Sequence, residues 1–99
     1  MKDKLNALEY AEVFKALGHP VRLKMACGLV KNESCNVNAI VQKFSLPQPT
    51  VSQHLNILKK AGIIEGCRKG VEVCYKVINP KVIKLIKCLD TDLCSNDKA

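Results

Sequence analysis

Six cysteines are the residues of this 99-residue chain with the most distinctive chemistry. Thiols outside disulfides can undergo redox reactions or bind soft metal ions, and a cysteine can also be a small buried apolar residue. No two of them have the CxxC spacing of a closed zinc site. The spacing therefore favours cysteines that act as stoichiometric sensors or that pack in the core. The six residues are Cys27, Cys35, Cys67, Cys74, Cys88 and Cys94.

The segment LPQPTVSQHLNILKKAG, residues 46–62, has polar residues at the spacing of one face of a helix. Pro49 suits a first helical turn and Gly62 suits a left-handed cap, so both ends are marked. Val51, Leu55 and Leu58 form an apolar stripe, and the opposite face is polar. His54 flanks that stripe, so a structural role is its alternative. The candidate contacts with bases or phosphates are Gln48, Thr50, Ser52, Gln53 and His54.

A short helix must precede this segment and position it. Apolar residues repeat at i, i+3, i+4 and i+7 between residues 37 and 44, which predicts a helix over about 36–44. Only four residues separate the two helices, and so short a connection is typical of a helix-turn-helix whose second helix enters the DNA major groove. A helical hairpin within another α domain is the alternative interpretation.

The remaining chain predicts a mainly α, winged helix-turn-helix fold in the order α-α-α-α-β-β-α. Helices are expected over about 4–17, where Leu8, Phe14 and Leu17 share a stripe, over 20–31, and over 80–90. Residues 63–78 predict a β-hairpin with Arg68 and Lys69 at a basic tip. These two residues are candidate contacts with the DNA backbone, or else an ordinary solvated turn. Residues 1–94 are expected to form one domain and 95–99 a disordered tail.

Composition narrows the class of partner. A formal net charge of +7 favours a polyanion such as DNA, and only four aromatic residues argue against a base-stacking, single-strand-binding protein. No apolar run is long enough to span a membrane, and no secretory signal is present, so we expect a soluble cytoplasmic protein. Enzyme motifs such as GxxxxGK[ST] and HExxH are absent, and we predict neither an enzyme nor a cofactor.

Two motifs identify a family resemblance: ALGHPVRL at residues 16–23 and VSQHLNILKKAGII at residues 51–64. With the hairpin that follows, nearly the whole chain resembles the arsenic-repressor (ArsR/SmtB) family of bacterial winged-helix regulators. The resemblance implies a homodimer, paired through its first and last helices, that binds double-stranded operator DNA and represses transcription until an inducer acts.

The cysteine positions resemble those of the sulfide-responsive members of that family. Cys27 matches their cysteine in the second helix, and Cys94 matches the one at the end of the last helix, although Cys88 competes with it. In those relatives the pair is crosslinked by persulfides and the crosslinked protein leaves DNA. The resemblance therefore implies that Cys27 and Cys94 are the sensing thiols and that the inducer is a reactive sulfur species.

Two alternatives stay open at this point. A repressor responsive to arsenite or another thiophilic metal ion would need a thiolate site drawn from Cys35, Cys67, Cys74, Cys88 or Cys94. However, ESCNVNAI places Val37 where arsenite sensors carry their second cysteine, and VIKLIKCLDTDLC lacks the histidine of the zinc sensors. Cys67 and Cys74 are expected to lie diagonally across the hairpin if its turn centres on Lys69 and Gly70. The other alternative is an architectural protein that binds any duplex.

Overall fold

The computed structural model describes residues 6–32 and 35–89, and within these ranges the chain forms five helices and three strands. Their order confirms the predicted mainly α winged helix-turn-helix, with one short strand added before the third helix. The elements are α1 Ala7–Leu17, α2 Pro20–Asn32, β1 Cys35–Asn36, α3 Val37–Phe44, α4 Gln48–Lys60, β2 Ile64–Lys69, β3 Glu72–Val77 and α5 Pro80–Cys88. Cys94 and the predicted tail lie outside the described residues.

Asparagine side chains set the start of three helices. Asn6 and Glu9 form a reciprocal capping box at α1, with distances of 2.9 and 3.0 Å between backbone nitrogens and side-chain oxygens. This places the first helical residue at Ala7, later than the expected start near residue 4. The Asn36 side-chain oxygen caps α3 by accepting from the Ala39 N–H, and that of Asn79 caps α5 by accepting from the Lys81 and Val82 N–H groups.

A single hydrophobic cluster joins the helices to the hairpin. Val51, Leu55 and Leu58 are all essentially inaccessible to solvent, which confirms the predicted apolar stripe of α4. The expected stripe of α1 lies in this cluster only at Leu17, because Leu8 is 70% exposed and Phe14 is 56% exposed. The remaining buried side chains are Val13, Ala16, Leu17, Met25, Ala26, Cys27, Leu29, Ile40, Ile63, Ile64, Val77, Val82 and Ile86.

The end of α4 runs directly into the hairpin. Gly62 has a φ of +78°, and its N–H donates to the Lys59 carbonyl at 3.0 Å. The N–H of the next residue, Ile63, donates to the Leu58 carbonyl at 3.1 Å, completing a Schellman cap whose two apolar side chains are both buried. The predicted left-handed cap at Gly62 is thus confirmed.

The turn of the hairpin falls one residue later than expected. Gly70 has a φ of +66°, whereas Val71 has no positive φ, the pattern of a two-residue type II′ turn with glycine first. Lys69 therefore pairs with Glu72, and Cys67 pairs with Cys74 directly. The expected diagonal placement of the two cysteines was wrong. Strand β1 adds to the other edge of β3, so the sheet order is β1-β3-β2 and both pairings are antiparallel.

Candidate nucleic-acid interface

The connection between α3 and α4 fixes the angle of the second helix. Ser45 ends α3 in the left-handed conformation, with φ 54° and ψ 40°, and its N–H donates to the Val41 carbonyl at 2.8 Å. Pro47 is extended and precedes the first residue of α4, and Pro49 lies in the first turn. The two helices are therefore joined by a short, defined turn, as the sequence predicted.

The solvent-facing side of α4 presents amides, hydroxyls and amines. Gln48, Ser52 and Gln53 are exposed, and Thr50 and His54 are half-buried, so none of the five predicted contact residues of α4 is fully buried. The opposite side of the helix is anchored in the core, which holds this polar row on a rigid support. The row has the donors and acceptors that base edges and phosphates require.

A groove separates this row from β3. Its lining consists of Pro49, Thr50, Ser52, Gln53, Asn56, Lys59 and Tyr75. No carboxylate contributes to this lining, and the amine and hydroxyls suit an anionic backbone. Asn56, Lys59 and Tyr75 are not among the contact residues predicted from the sequence. Helical spacing relative to Gln53 could have identified Asn56, whereas Tyr75 enters through the folding of the hairpin.

Tyr75 reaches the groove because β2 carries a glycine beside it. A Cβ atom added to Gly66 would lie 3.0 Å from Tyr75 Cε1 and 3.0 Å from Val73 Cγ1, closer than such contacts normally come. Gly66 also pairs directly with Tyr75 across the two strands. The missing side chain therefore leaves room for the aromatic ring over β2.

Arg68 and Lys69 are both exposed near the tip of the hairpin, but they lie on different faces. Successive side chains of a strand alternate, so Arg68 shares the face of Gly66 and Tyr75 while Lys69 points to the other side. Lys69 pairs across the strands with Glu72, whose carboxylate accepts a hydrogen bond from Asn36 Nδ2 at 2.9 Å. Arg68 is therefore the cation on the same face of the sheet as the groove.

His54 turns away from the polar row toward α2. Arginine has only donors, so the Arg22 guanidinium donates to His54 Nδ1 at 3.3 Å. Arg22 Nε also donates to the Ala16 carbonyl at 2.6 Å, and the His54 ring lies 4.7 Å from the His19 ring. Desolvation lowers the pKa of His54, and electrostatic interactions with His19 and Arg22 lower it further. These contacts favour the structural alternative for His54.

The thiols occupy different environments. Cys27 is 5% exposed within α2, a helix that contacts α5. Cys67 and Cys88 are exposed, and Cys74 is half-buried. Cys35 forms part of β1 opposite Tyr75. Within residues 6–32 and 35–89, as far as side chains are described, no group of three potential metal ligands is present.

An apolar groove lies between α1 and α5. Phe14 and Leu85 line it together with Tyr10, Val13, Lys81, Val82, Lys84 and Cys88. Phe14 is thus exposed beside other apolar side chains rather than alone, and such a patch marks a surface that a partner covers. None of the described helices has both the length and the apolar run required to cross a bilayer.

Comparisons with known proteins agree with this geometry. The family model "Bacterial regulatory protein, arsR family" matches residues 19–65. An uncharacterised HTH-type transcriptional regulator of Methanocaldococcus jannaschii is 44% identical over 80 residues, covering 81% of this chain and 90% of that protein. The crystal structure of the transcriptional repressor PagR of Bacillus anthracis has a TM-score of 0.77 and 41% identity, covering 83% of this chain and 93% of that one.

A third similarity concerns assembly. A solution structure from Mycobacterium bovis is described as a homodimeric winged helix-turn-helix DNA-binding domain of a possible ArsR-family regulator. It has a TM-score of 0.75 and 26% identity, and the match covers 91% of this chain and 81% of that domain.

Proposed function

This chain belongs to the ArsR family of bacterial regulatory proteins, and on that premise we propose that it is a transcriptional repressor that binds operator DNA as a homodimer. The observation that carries the proposal is the polar face of α4, held against the core on one side and flanked by the groove and the hairpin on the other. A helix presented in this way fits the major groove, and the hairpin serves as the wing beside it.

Contacts with DNA divide between base edges and backbone. Gln48, Thr50, Ser52 and Gln53 on the first two turns of α4 are the readers, since recognition helices contact bases mainly through their N-terminal residues. Lys59 and Tyr75, which line the groove, are the proposed contacts with the phosphate backbone beside α4. Arg68 contacts the backbone from the wing, and Lys69 contacts it more weakly. His54 positions α4 from behind rather than touching DNA.

Dimerisation follows from the groove between α1 and α5. Tyr10 and Phe14 expose apolar surface in this groove that a second copy of the chain covers, and the similar Mycobacterium bovis domain is homodimeric. A two-fold pair places two reader helices on successive major grooves about 34 to 36 Å apart, so the operator is expected to be nearly palindromic.

Thiol chemistry is the proposed switch. A polysulfide transfers one sulfur to a cysteine, giving a persulfide; the second thiol then attacks its inner sulfur, forming an S–S bond and releasing hydrogen sulfide. Cys27 and Cys94 are the proposed pair, because α2 contacts α5 and Cys94 follows α5 by six residues. Since Cys27 is buried, its reaction requires local opening between α2 and α5.

The test compares single variants in an operator-binding assay with and without polysulfide. Cys27→Ser, Cys27→Ala and Cys94→Ser are expected to bind the operator normally and to lose release by polysulfide. Cys88→Ser is the matched control and is expected to respond like the parent protein. A hundredfold loss of affinity corresponds to about 2.7 kcal/mol, within the usual range of allosteric coupling. Normal release from both Cys27 and Cys94 variants would rule out this pair.

A thiophilic ion is the second candidate inducer, and it has weaker support. The described side chains bring no three ligands together, although those of Cys35 and Cys94 are not among them. Intact-mass analysis after exposure to polysulfide, peroxide or arsenite distinguishes the inducers: added sulfur supports the persulfide switch, and a bound ion without covalent change supports the alternative. Operator preference of about 10³ or more over other duplexes at fixed salt excludes a purely architectural protein.

A further inference from the structure

Two cysteines face each other on the wing. Cys67 of β2 pairs directly with Cys74 of β3, and neither is in a disulfide. Strand alternation places both on the face opposite to the buried residues Ile64 and Val77. Cys67 is exposed and Cys74 is half-buried, with Asn36 on the other side of Cys74 in the sheet. The pair is therefore open to reagents in solution and is separate from the proposed Cys27 and Cys94 switch.

The hairpin register sets the distance between the two residues. A two-residue turn closes with the hydrogen-bonded pair Lys69 and Glu72, and the type of pair then alternates, so Cys67 and Cys74 are again a hydrogen-bonded pair. Such a pair has Cα atoms about 5.5 Å apart, a separation typical of disulfides.

The Cβ atoms are less well placed. Directly opposite residues have Cβ atoms about 4.5 to 5.5 Å apart, with the wider spacing in hydrogen-bonded pairs, whereas a disulfide has them about 3.5 to 4.5 Å apart. The strands must therefore draw together by roughly 1 Å for the bond to form. Disulfides that are strained and exposed are more easily reduced than structural ones. A bond at this position would be reversible.

We propose that Cys67 and Cys74 form a second modification site, a dithiol that small-molecule disulfides oxidise to a reversible bond across the wing. The exposed Cys67 thiolate attacks one sulfur of glutathione disulfide, forming a mixed disulfide and releasing one glutathione thiolate. The Cys74 thiolate then attacks the Cys67 sulfur, forming the cross-strand bond and releasing the second glutathione. Two protein thiols are oxidised and one glutathione disulfide is reduced.

The bond would alter the wing where it meets DNA. Arg68 follows Cys67 in β2, and drawing the strands together at Cys67 changes the local twist that directs the Arg68 side chain. We expect operator affinity to change by at least about fivefold, the lower end of ordinary coupling. This consequence rests on the proposed function, whereas the chemistry of the dithiol does not.

Peptide mapping tests the site directly. The reduced full-length protein is incubated with glutathione disulfide, blocked with an alkylating reagent and digested with trypsin. Cleavage after Lys60, Arg68, Lys69 and Lys76 gives AGIIEGCR, residues 61–68, and GVEVCYK, residues 70–76, each with one cysteine. The expected product is these two peptides joined by a bond that a reductant cleaves. Cys74→Ser is the matched control, in which Cys67 is expected to carry only glutathione.

The outcomes separate this site from the proposed polysulfide switch. Recovery of both peptides with glutathione adducts but without the joined product overturns the dithiol site. In a Cys27→Ala protein, the joined peptides are still expected, whatever the result with polysulfide. Operator binding by that variant is then compared before and after oxidation: a change of fivefold or more supports the effect on DNA, and equal affinity of the crosslinked and reduced forms overturns it.

Discussion

Replacing Gly62 by alanine tests the connection between the reader helix and the wing. The residue has a φ of +78°, and an added Cβ would meet no heavy atom within 4 Å, so the substitution strains the backbone without causing a clash. Holding an L-residue in the left-handed region costs about 1 to 2 kcal/mol. For a domain of this size, that lowers the melting temperature by roughly 4 to 16 °C.

Gly28 provides a matched control in the same protein. It lies within α2, an added Cβ would again meet nothing within 4 Å, and its backbone is not in the left-handed region. Gly28→Ala is therefore expected to stabilise the protein by about 0.5 to 1 kcal/mol. The two variants should differ by roughly 1.5 to 3 kcal/mol in the free energy of unfolding.

Chemical denaturation monitored by circular dichroism measures the difference. Both variants are compared with the parent at one protein concentration, because unfolding of a dimer depends on concentration. Operator affinity is measured well below the melting temperature, where we expect Gly62→Ala to bind more weakly because the wing shifts relative to α4. Equal stability of the Gly62→Ala variant and the parent would refute the assignment of the cap.

Three further predictions concern pH, salt and assembly. Because the pKa of His54 is lowered in the folded state, its contribution to stability is complete above the unfolded value of 6.5. It declines as pH falls below 6.5 and through the lower pKa of the folded state. Denaturation at about pH 7.5 and about pH 5.5 should show this, and His54→Gln should reduce the dependence. Arg68→Ala should lower the slope of log affinity against log salt by about 1, and Lys69→Ala should lower it less; equal slopes would contradict the difference in faces. Phe14→Asp should give monomers in sedimentation, while Gln42→Asp, at an exposed position of α3, should remain dimeric.

Much of the fold could be predicted from local patterns. Val51, Leu55 and Leu58 recur at helical spacing and lie in the core, since α4 has one apolar side and the surrounding helices and hairpin pack against it. Gly62 was identifiable because few other residues adopt a left-handed cap at low cost. The apolar stripe of α1 suggested a start earlier than Ala7. The spacing of Asn6 and Glu9, which is that of a capping box, would have given the observed start.

Other features depend on contacts that periodicity does not contain. Leu8 and Phe14 belong to the apolar pattern of α1, but the pattern does not say whether the surface that covers them belongs to the same chain. The two-residue β1 is too short to produce an alternating pattern. The hairpin register depended on Gly70 occupying the first rather than the second position of the turn. This shift of one residue makes Cys67 and Cys74 a directly opposite pair instead of the expected diagonal pair.

In the candidate site, too, some residues could be placed from helical periodicity and others only from tertiary contacts. Exposed α4 residues such as Gln53 could be assigned from helical geometry. Tyr75 could not, because its place beside α4 depends on the pairing of β2 with β3 and on the space left by Gly66. His54 was ambiguous because it borders the apolar stripe, and only its tertiary contact with Arg22 distinguishes the two roles.

Arg22 has a consequence for signal transmission. One guanidinium holds the last turn of α1 through the Ala16 carbonyl and the middle of α4 through the His54 ring. In a homodimer paired through α1, a change in subunit orientation would reach α4 through this planar side chain as well as through the core that the two helices share. Removing the guanidinium would break the polar part of this link and leave the shared apolar core in place.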